Sequence, residues 1–122
     1  MAIVNQVEKK VRMDHWDIIK FQILTYCYLN HIPVSDADLD LLTLLAISGE
    51  QELSTFCEKA AARKIFKSSQ TVRNAVGKAE QKLLVRKEEK KKSKKNISLS
   101  PEIQVLTEGN ILLDYKFLSV AA

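Results

Sequence analysis

The sequence predicts one mainly α domain carrying a small β-hairpin, an α+β fold class. Three observations predict it: four runs of apolar residues at helical spacing, two short alternating segments flanking a lysine-rich stretch, and a length of 122 residues. That length supports a single hydrophobic core and not comfortably two. Hydrophobic residues make up 46% and charged residues 28%, the balance of a folded globular chain rather than a disordered one.

Residues 3–13 alternate loosely and predict a short strand or an extended arm. Asp14 is a helix-capping residue type. From there to Asn30, Trp16, Ile19, Ile23, Tyr26 and Cys27 recur at helical spacing. That helix is apolar over much of its girth, which predicts deep burial or a subunit interface. Pro33 breaks the chain. Ser35 or Asp36 caps a second helix, with Asp38 in its first turn and Leu39, Leu42, Leu45 and Ala46 along its stripe. Gly49 is suited to its C-terminal end. A third helix is expected from about Gln51 to Phe66, with Leu53, Phe56, Cys57, Ala60 and Ala61 on one face. After the polar turn Lys67-Ser68-Ser69 comes a fourth helix, from about Gln70 to Leu84, capped by Ser68 or Ser69. Val72, Val76, Ala79 and Leu83 define its inward face.

Val85-Arg86-Lys87 then reads as a strand, and Ile97-Ser98-Leu99 as its return, ended by Pro101. Between them the run Lys90 to Asn96 predicts a long basic hairpin tip. A further strand is expected within Ile111 to Val120. The chain therefore divides into an N-terminal arm and helix (residues 1–34), a central unit (residues 35–101) and a C-terminal strand or tail (residues 102–122), with the N-terminal helix and the C-terminal strand as candidate dimerisation elements.

The net charge is only +4, but it is unevenly spread. Residues 1–58 hold 4 basic and 9 acidic side chains, whereas residues 59–95 hold 14 basic and 3 acidic. One contiguous segment carries the positive field, the footprint of a nucleic-acid surface. The two cysteines, Cys27 and Cys57, sit in apolar helical patterns, so a reducing compartment and no disulfide scaffold are expected. His15 and His31 are isolated and no CxxC pair exists, which predicts no metal site and no cofactor. No signal-peptide pattern and no membrane-length apolar run is visible. The expectation is a soluble cytoplasmic protein, or a virion component if the gene is phage-borne.

Two short helices joined by a tight turn and followed by a hairpin are the layout of a winged helix. The segment SSQTVRNAVGKAEQKLLVRKE resembles the recognition helix and first wing strand of winged helix-turn-helix transcription regulators, and KNISLSP resembles their second wing strand. The shared pattern is the polar cap Ser69, the pair Thr71-Val72, the apolar pair Leu84-Val85 and the basic Arg86-Lys87. Related layouts occur in small phage and plasmid replication or regulatory proteins. The likeness covers roughly residues 39–101. It departs at Leu83, where many members carry glycine, and at Ala79, where many carry leucine.

With the apolar stripe inward, Gln70, Thr71, Arg73, Asn74, Gly77, Lys78 and Gln81 face outward. Arg pairs bidentately with guanine, and Asn or Gln with adenine, in the major groove. Residues near the start of a recognition helix reach the bases, so Gln70, Arg73 and Asn74 are the base-reading candidates. Ser68, Ser69 and Thr71 offer hydroxyls and a helix N-terminus to a phosphate. Lys64, Lys67, Lys78, Arg86, Lys90, Lys91, Lys92, Lys94 and Lys95 are the backbone-contacting candidates, with Lys59 and Arg63 extending the patch. Neutralising roughly five phosphates gives a log-affinity slope of about −4.5 against log salt.

Blander readings stand beside these. The polar helix face can be a solvated one, and the lysine run a disordered loop or a localisation signal. Trp16, Tyr26 and Tyr28 fit core or interface better than a base-stacking platform. No Gly-rich phosphate loop and no nucleophile–base arrangement is present, and the Asp36, Asp38, Asp40 series lacks the glycine and glutamate of a calcium loop. The expected function is therefore non-enzymatic binding of double-stranded DNA by a transcription or replication regulator, as a homo-oligomer such as a dimer and away from membranes. The alternative is a phage virion or assembly protein that uses a winged helix for contacts with other proteins and for nonspecific contact with nucleic acid.

Overall fold

The computed structural model describes residues 4–91 and 94–120, with backbone alone at residues 4, 5, 12, 90 and 91. The elements run β1 (Val4–Arg12), α1 (His15–Leu29), α2 (Asp36–Ser48), β2 (Gln51–Glu52), α3 (Leu53–Ala62), α4 (Ser69–Gln81), β3 (Val85–Lys91), β4 (Lys94–Leu99) and β5 (Leu112–Val120). Two antiparallel sheets form. One is the ribbon β1-β5, and the other has the order β2-β4-β3.

Helix starts follow local chemistry. Asp14 accepts from the Asp17 backbone N–H at 2.8 Å and caps α1. Ser35 and Asp38 form a reciprocal capping box at α2, which satisfies two otherwise orphaned donors. Ser68 caps α4 by accepting from Thr71 N–H at 3.2 Å.

The ends of α1 at Asn30 and α2 at Gly49 fall where expected, whereas those of α3 and α4 depart from expectation for one reason. α1, α3 and α4 each stop on a residue at positive φ that is not glycine: His31 (57°), Lys64 (60°) and Leu83 (62°). Each stop carries the paired backbone bonds of a Schellman motif. In α4, Leu83 N–H reaches Glu80 O at 3.0 Å and Leu84 N–H reaches Ala79 O at 2.9 Å. The same pattern joins His31 to Tyr28 and Ile32 to Cys27, and Lys64 to Ala61 and Ile65 to Ala60. The third helix therefore ends at Ala62, short of Phe66, and the fourth at Gln81, short of Leu84. The expected inward place of Leu83 is also corrected: it is 75% exposed, and Leu84 turns into the core in its stead at 1%.

A left-handed backbone costs an L-residue roughly 1–2 kcal/mol, offset in part by glycine's extra chain entropy of about 0.5–1 kcal/mol. Leu83→Gly, at the position where the resembling family carries glycine, should therefore raise stability by about 0.5–1 kcal/mol, read as a small upward shift in the thermal midpoint. An unchanged or lowered midpoint would show that the exposed leucine side chain stabilises the turn.

Gln51 and Glu52, expected as the start of the third helix, are a two-residue strand pairing with Ile97 and Asn96 of β4. The lysine run also differs from expectation. β3 and β4 extend through Lys91 and from Lys94, so its described residues continue the ladder rather than forming a long loop. The core is one cluster drawn from all four helices and the three-stranded sheet, with Ile19, Ile23, Leu42, Leu45, Phe56, Val72, Val76, Leu84 and Ile97 fully enclosed. Thr43 is buried with its hydroxyl donating to Leu39 O at 2.7 Å, so no polar atom there is left unsatisfied. Between α1 and α2, Lys20 bridges Asp36 and Asp40 at 2.7 and 2.9 Å. Its pKa is held above the ordinary lysine value, chiefly by the hydrogen bond to Asp36 and then by that to Asp40.

The chain after β4 returns along α1. Gln22 acts there as a one-residue strand: its amide donates to Leu106 O at 3.0 Å and accepts from Leu106 N–H at 2.9 Å. His15 bonds the carbonyl of Thr107. These contacts deliver β5 to β1.

Candidate nucleic-acid interface

The short strand β2 ties the start of α3 to the hairpin and so places Ser54 beside β4. α4 crosses next to it. Between them opens a cleft of about 380 Å³ lined by Glu52, Leu53, Ser54, Arg73, Lys87, Lys94 and Lys95. Four cations and one carboxylate surround it, so its field is positive; its walls come from β2 and the start of α3, and its cations from the fourth helix and the hairpin.

Arg73 is exposed, and one of its Nη2 hydrogens goes to Ser54 Oγ at 3.3 Å. A guanidinium has five donors in a fixed fork, so this bond orients the group without exhausting it. One turn away, Gln70 Nε2 donates to Asn74 Oδ1 at 3.1 Å. Gln70, Thr71, Arg73, Asn74, Lys78 and Gln81 are all exposed, while Val72, Ala75, Val76 and Ala79 are buried. The outward face predicted for this helix is the observed one except at Gly77, which is half-buried.

The remaining predicted residues fall into separate places. Lys64, Lys67 and Thr71 line an open groove with Ala61, Ile65 and Phe66 at the start of α4. Ser68 is engaged as the cap, accepting from Thr71 N–H and sharing a 2.9 Å bond with Thr71 Oγ1. Ser69 is exposed in the first turn. Lys78 lies on the flank of α4 that faces Asp38 and Lys82. Arg86 lies in another concavity, with Glu80, Leu83, Ser100, Pro101 and Glu102, because strand alternation turns it opposite to its neighbour Lys87. Lys92 and the side chains of Lys90 and Lys91 lie outside the described residues.

Two residues of the expected patch make contacts elsewhere. Arg63 stacks over the Trp16 ring at 4.8 Å, and Lys59 reaches Ser48 Oγ at 3.5 Å. Both bind the helical body. Sequence reasoning passed over Lys87, which lines the cleft and pairs with Glu80 at 3.6 Å. The signal was present: Lys87 lies two residues after the buried Val85 and so shares its face of the strand.

Cys27 and Cys57 are buried free thiols whose pKa values burial pushes up, the behaviour of small core hydrophobes. Among the described residues, no group of three or more His, Cys, Asp or Glu side chains is placed to hold a metal ion. No described helix is long and apolar enough to cross a membrane.

Among solved structures, the chain is similar to the Helicobacter pylori ferric uptake regulator Fur, with a TM-score of 0.50 over 86% of this chain and 73% of that one. The fold is a winged helix. Sequence identity to Fur is 10%, so the likeness extends to the fold alone. The functional metal-binding sites described for Fur are a property of that protein. No family model and no curated protein matches this chain in sequence. Within the winged helix, α4 is the helix that precedes the hairpin, and β3-β4 form the wing.

Proposed function

We propose that the protein is a non-enzymatic winged-helix regulator of transcription or replication that binds double-stranded DNA in the cytoplasm. The observation that carries this reading is the shared cleft: Arg73 of the recognition helix and Lys94 and Lys95 of the wing line one positive concavity. A duplex offers a groove and its flanking phosphates together, and such a surface meets both at once. Arg73, Asn74 and Gln70 read bases, and the wing lysines together with Lys64, Lys67 and the start of α4 hold phosphates. Regulation proceeds by occupancy, and a homodimer presents two such surfaces to two half-sites.

The test selects a preferred site from a random duplex pool and measures affinity with and without Arg73→Ala and Asn74→Ala. Each substitution should weaken binding to the selected site by about 5- to 100-fold, the worth of a bidentate base contact, and should relax the preference at one position. Binding to random duplex should change far less. If the pool yields no preferred site and neither change has an effect, the base-reading role is wrong and the surface serves nonspecific or protein contacts.

A further inference from the structure

The ribbon β1-β5 is an unusual element in so small a chain. Among the described residues, neither of its outer edges pairs with another strand. Unpaired edges are templates for further strands, and a lone two-stranded ribbon is marginal in water. Its register runs from Val4 opposite Val120 to Arg12 opposite Leu112. Alternation then sets Val7, Lys9, Val11, Leu113, Tyr115 and Phe117 on one side, apolar but for Lys9, and Gln6, Glu8, Lys10, Leu112, Asp114, Lys116 and Leu118 on the other, where the charges lie. At the base Leu113 packs against the core, but towards the tip Val7 and Phe117 are 60% and 67% exposed.

We propose that β5 pairs antiparallel with β5 of a second copy of this chain, about a two-fold axis at Tyr115, giving a four-stranded sheet in the order β1-β5-β5-β1. A two-fold axis perpendicular to the sheet keeps like faces together, so the register can shift only in steps that preserve the face. With Tyr115 opposite itself, Asp114 lies opposite the second copy's Lys116, and Lys116 opposite its Asp114. Within one copy, Glu8 already faces Lys116, with an ion pair at 3.6 Å, and Lys10 faces Asp114. The row across all four strands reads Glu8, Lys116, Asp114, Lys10, with the charge alternating at every step. The two-fold axis repeats this row once.

Other registers lose this match. The next one in either direction puts Asp114 opposite Asp114 or Lys116 opposite Lys116, and like charges directly opposite are destabilising. Pairing through β1 about Lys9 keeps the alternating row, with Glu8 opposite the second copy's Lys10, but sets Lys9 against itself at the axis, where β5 has Tyr115; about Glu8 or Lys10 it sets like charges against each other. The favoured register also serves the apolar face. It aligns the exposed Val7 and Phe117 of one tip with Leu113 and Val11 of the other ribbon's base, where the protein body already half-covers the sheet. The interface is closed and isologous, so it stops at two copies instead of propagating into a fibre. It stands independently of nucleic-acid binding.

The test uses the full chain without DNA. Sedimentation equilibrium over a concentration series should show a monomer–dimer equilibrium. Lys116→Asp should raise the dimer dissociation constant about tenfold or more, because two rows gain like-charge pairs. Reversing every row with Glu8→Lys, Lys10→Glu, Asp114→Lys and Lys116→Asp together should restore it. A short thiol cross-linker should join Tyr115→Cys chains to one another. It should join Phe117→Cys chains only when they are mixed with Leu113→Cys chains. A chain that stays monomeric throughout the series overturns the proposal, as does a dimer whose Tyr115→Cys form does not cross-link.

Discussion

Phe56→Ala should destabilise the protein by about 3–5 kcal/mol, the range for removing a large aromatic from a packed core. Phe56 is fully enclosed and lies on α3, which packs against α2, α4 and β4. Its ring thus sits inside the core that α3 shares with α2, α4 and β4. Deleting it removes the transfer free energy of the ring and leaves a cavity that rigid helices close only in part. A domain of this size is ordinarily stable by 5–15 kcal/mol, so the variant loses a large share of its margin. Urea titration should show a lower midpoint with an unchanged slope. Phe56→Leu, which keeps most of the volume, should cost far less. A loss below about 1 kcal/mol for Phe56→Ala would mean the helices collapse freely around the site and the core is loosely packed.

Replacing Lys94 and Lys95 together with alanine should flatten the salt dependence of duplex binding. Each phosphate neutralised contributes about 0.9 to the slope of log affinity against log salt, so removing two contacts should reduce the slope by about 1.8. At physiological salt, affinity should fall on the order of tenfold or more, and by the same factor on every duplex sequence. That uniformity separates the wing from Arg73, whose loss should depend on sequence. The two lysines are exposed and sit on the wing strand β4, so the fold should tolerate the change. A slope that stays put would place the phosphates elsewhere, with the groove of Lys64 and Lys67 the next surface to test.

How much of this could be read from the chain varies by element. Caps are local, since one side chain bonds a backbone N–H three residues on. Asp14 was accordingly legible as a helix start, and Ser35 and Ser68 each as one of two adjacent candidates. So was the inward stripe of Val72, Val76 and Ala79, and with it the outward set that includes Arg73 and Asn74. Helix ends were less legible because the usual marker is glycine at the left-handed position. In α3 and α4 Lys64 and Leu83 hold it, and the chain reads as if those two helices ran on. Leu83 was misplaced for that reason: a continuing helix puts it inside, while a Schellman turn puts it outside and Leu84 in.

Composition and periodicity by themselves determined the class, the four helices, the hairpin and the concentration of positive charge between residues 59 and 95. These depend on neighbours a few residues apart. Only the tertiary structure decided that Gln51 and Glu52 pair with β4, that β5 crosses back to β1, and that Lys87 joins Arg73 in one cleft while Arg63 turns to Trp16. Each of those joins residues far apart in the chain. Their pairing depends on which buried faces meet in the shared core, and no local spacing records that.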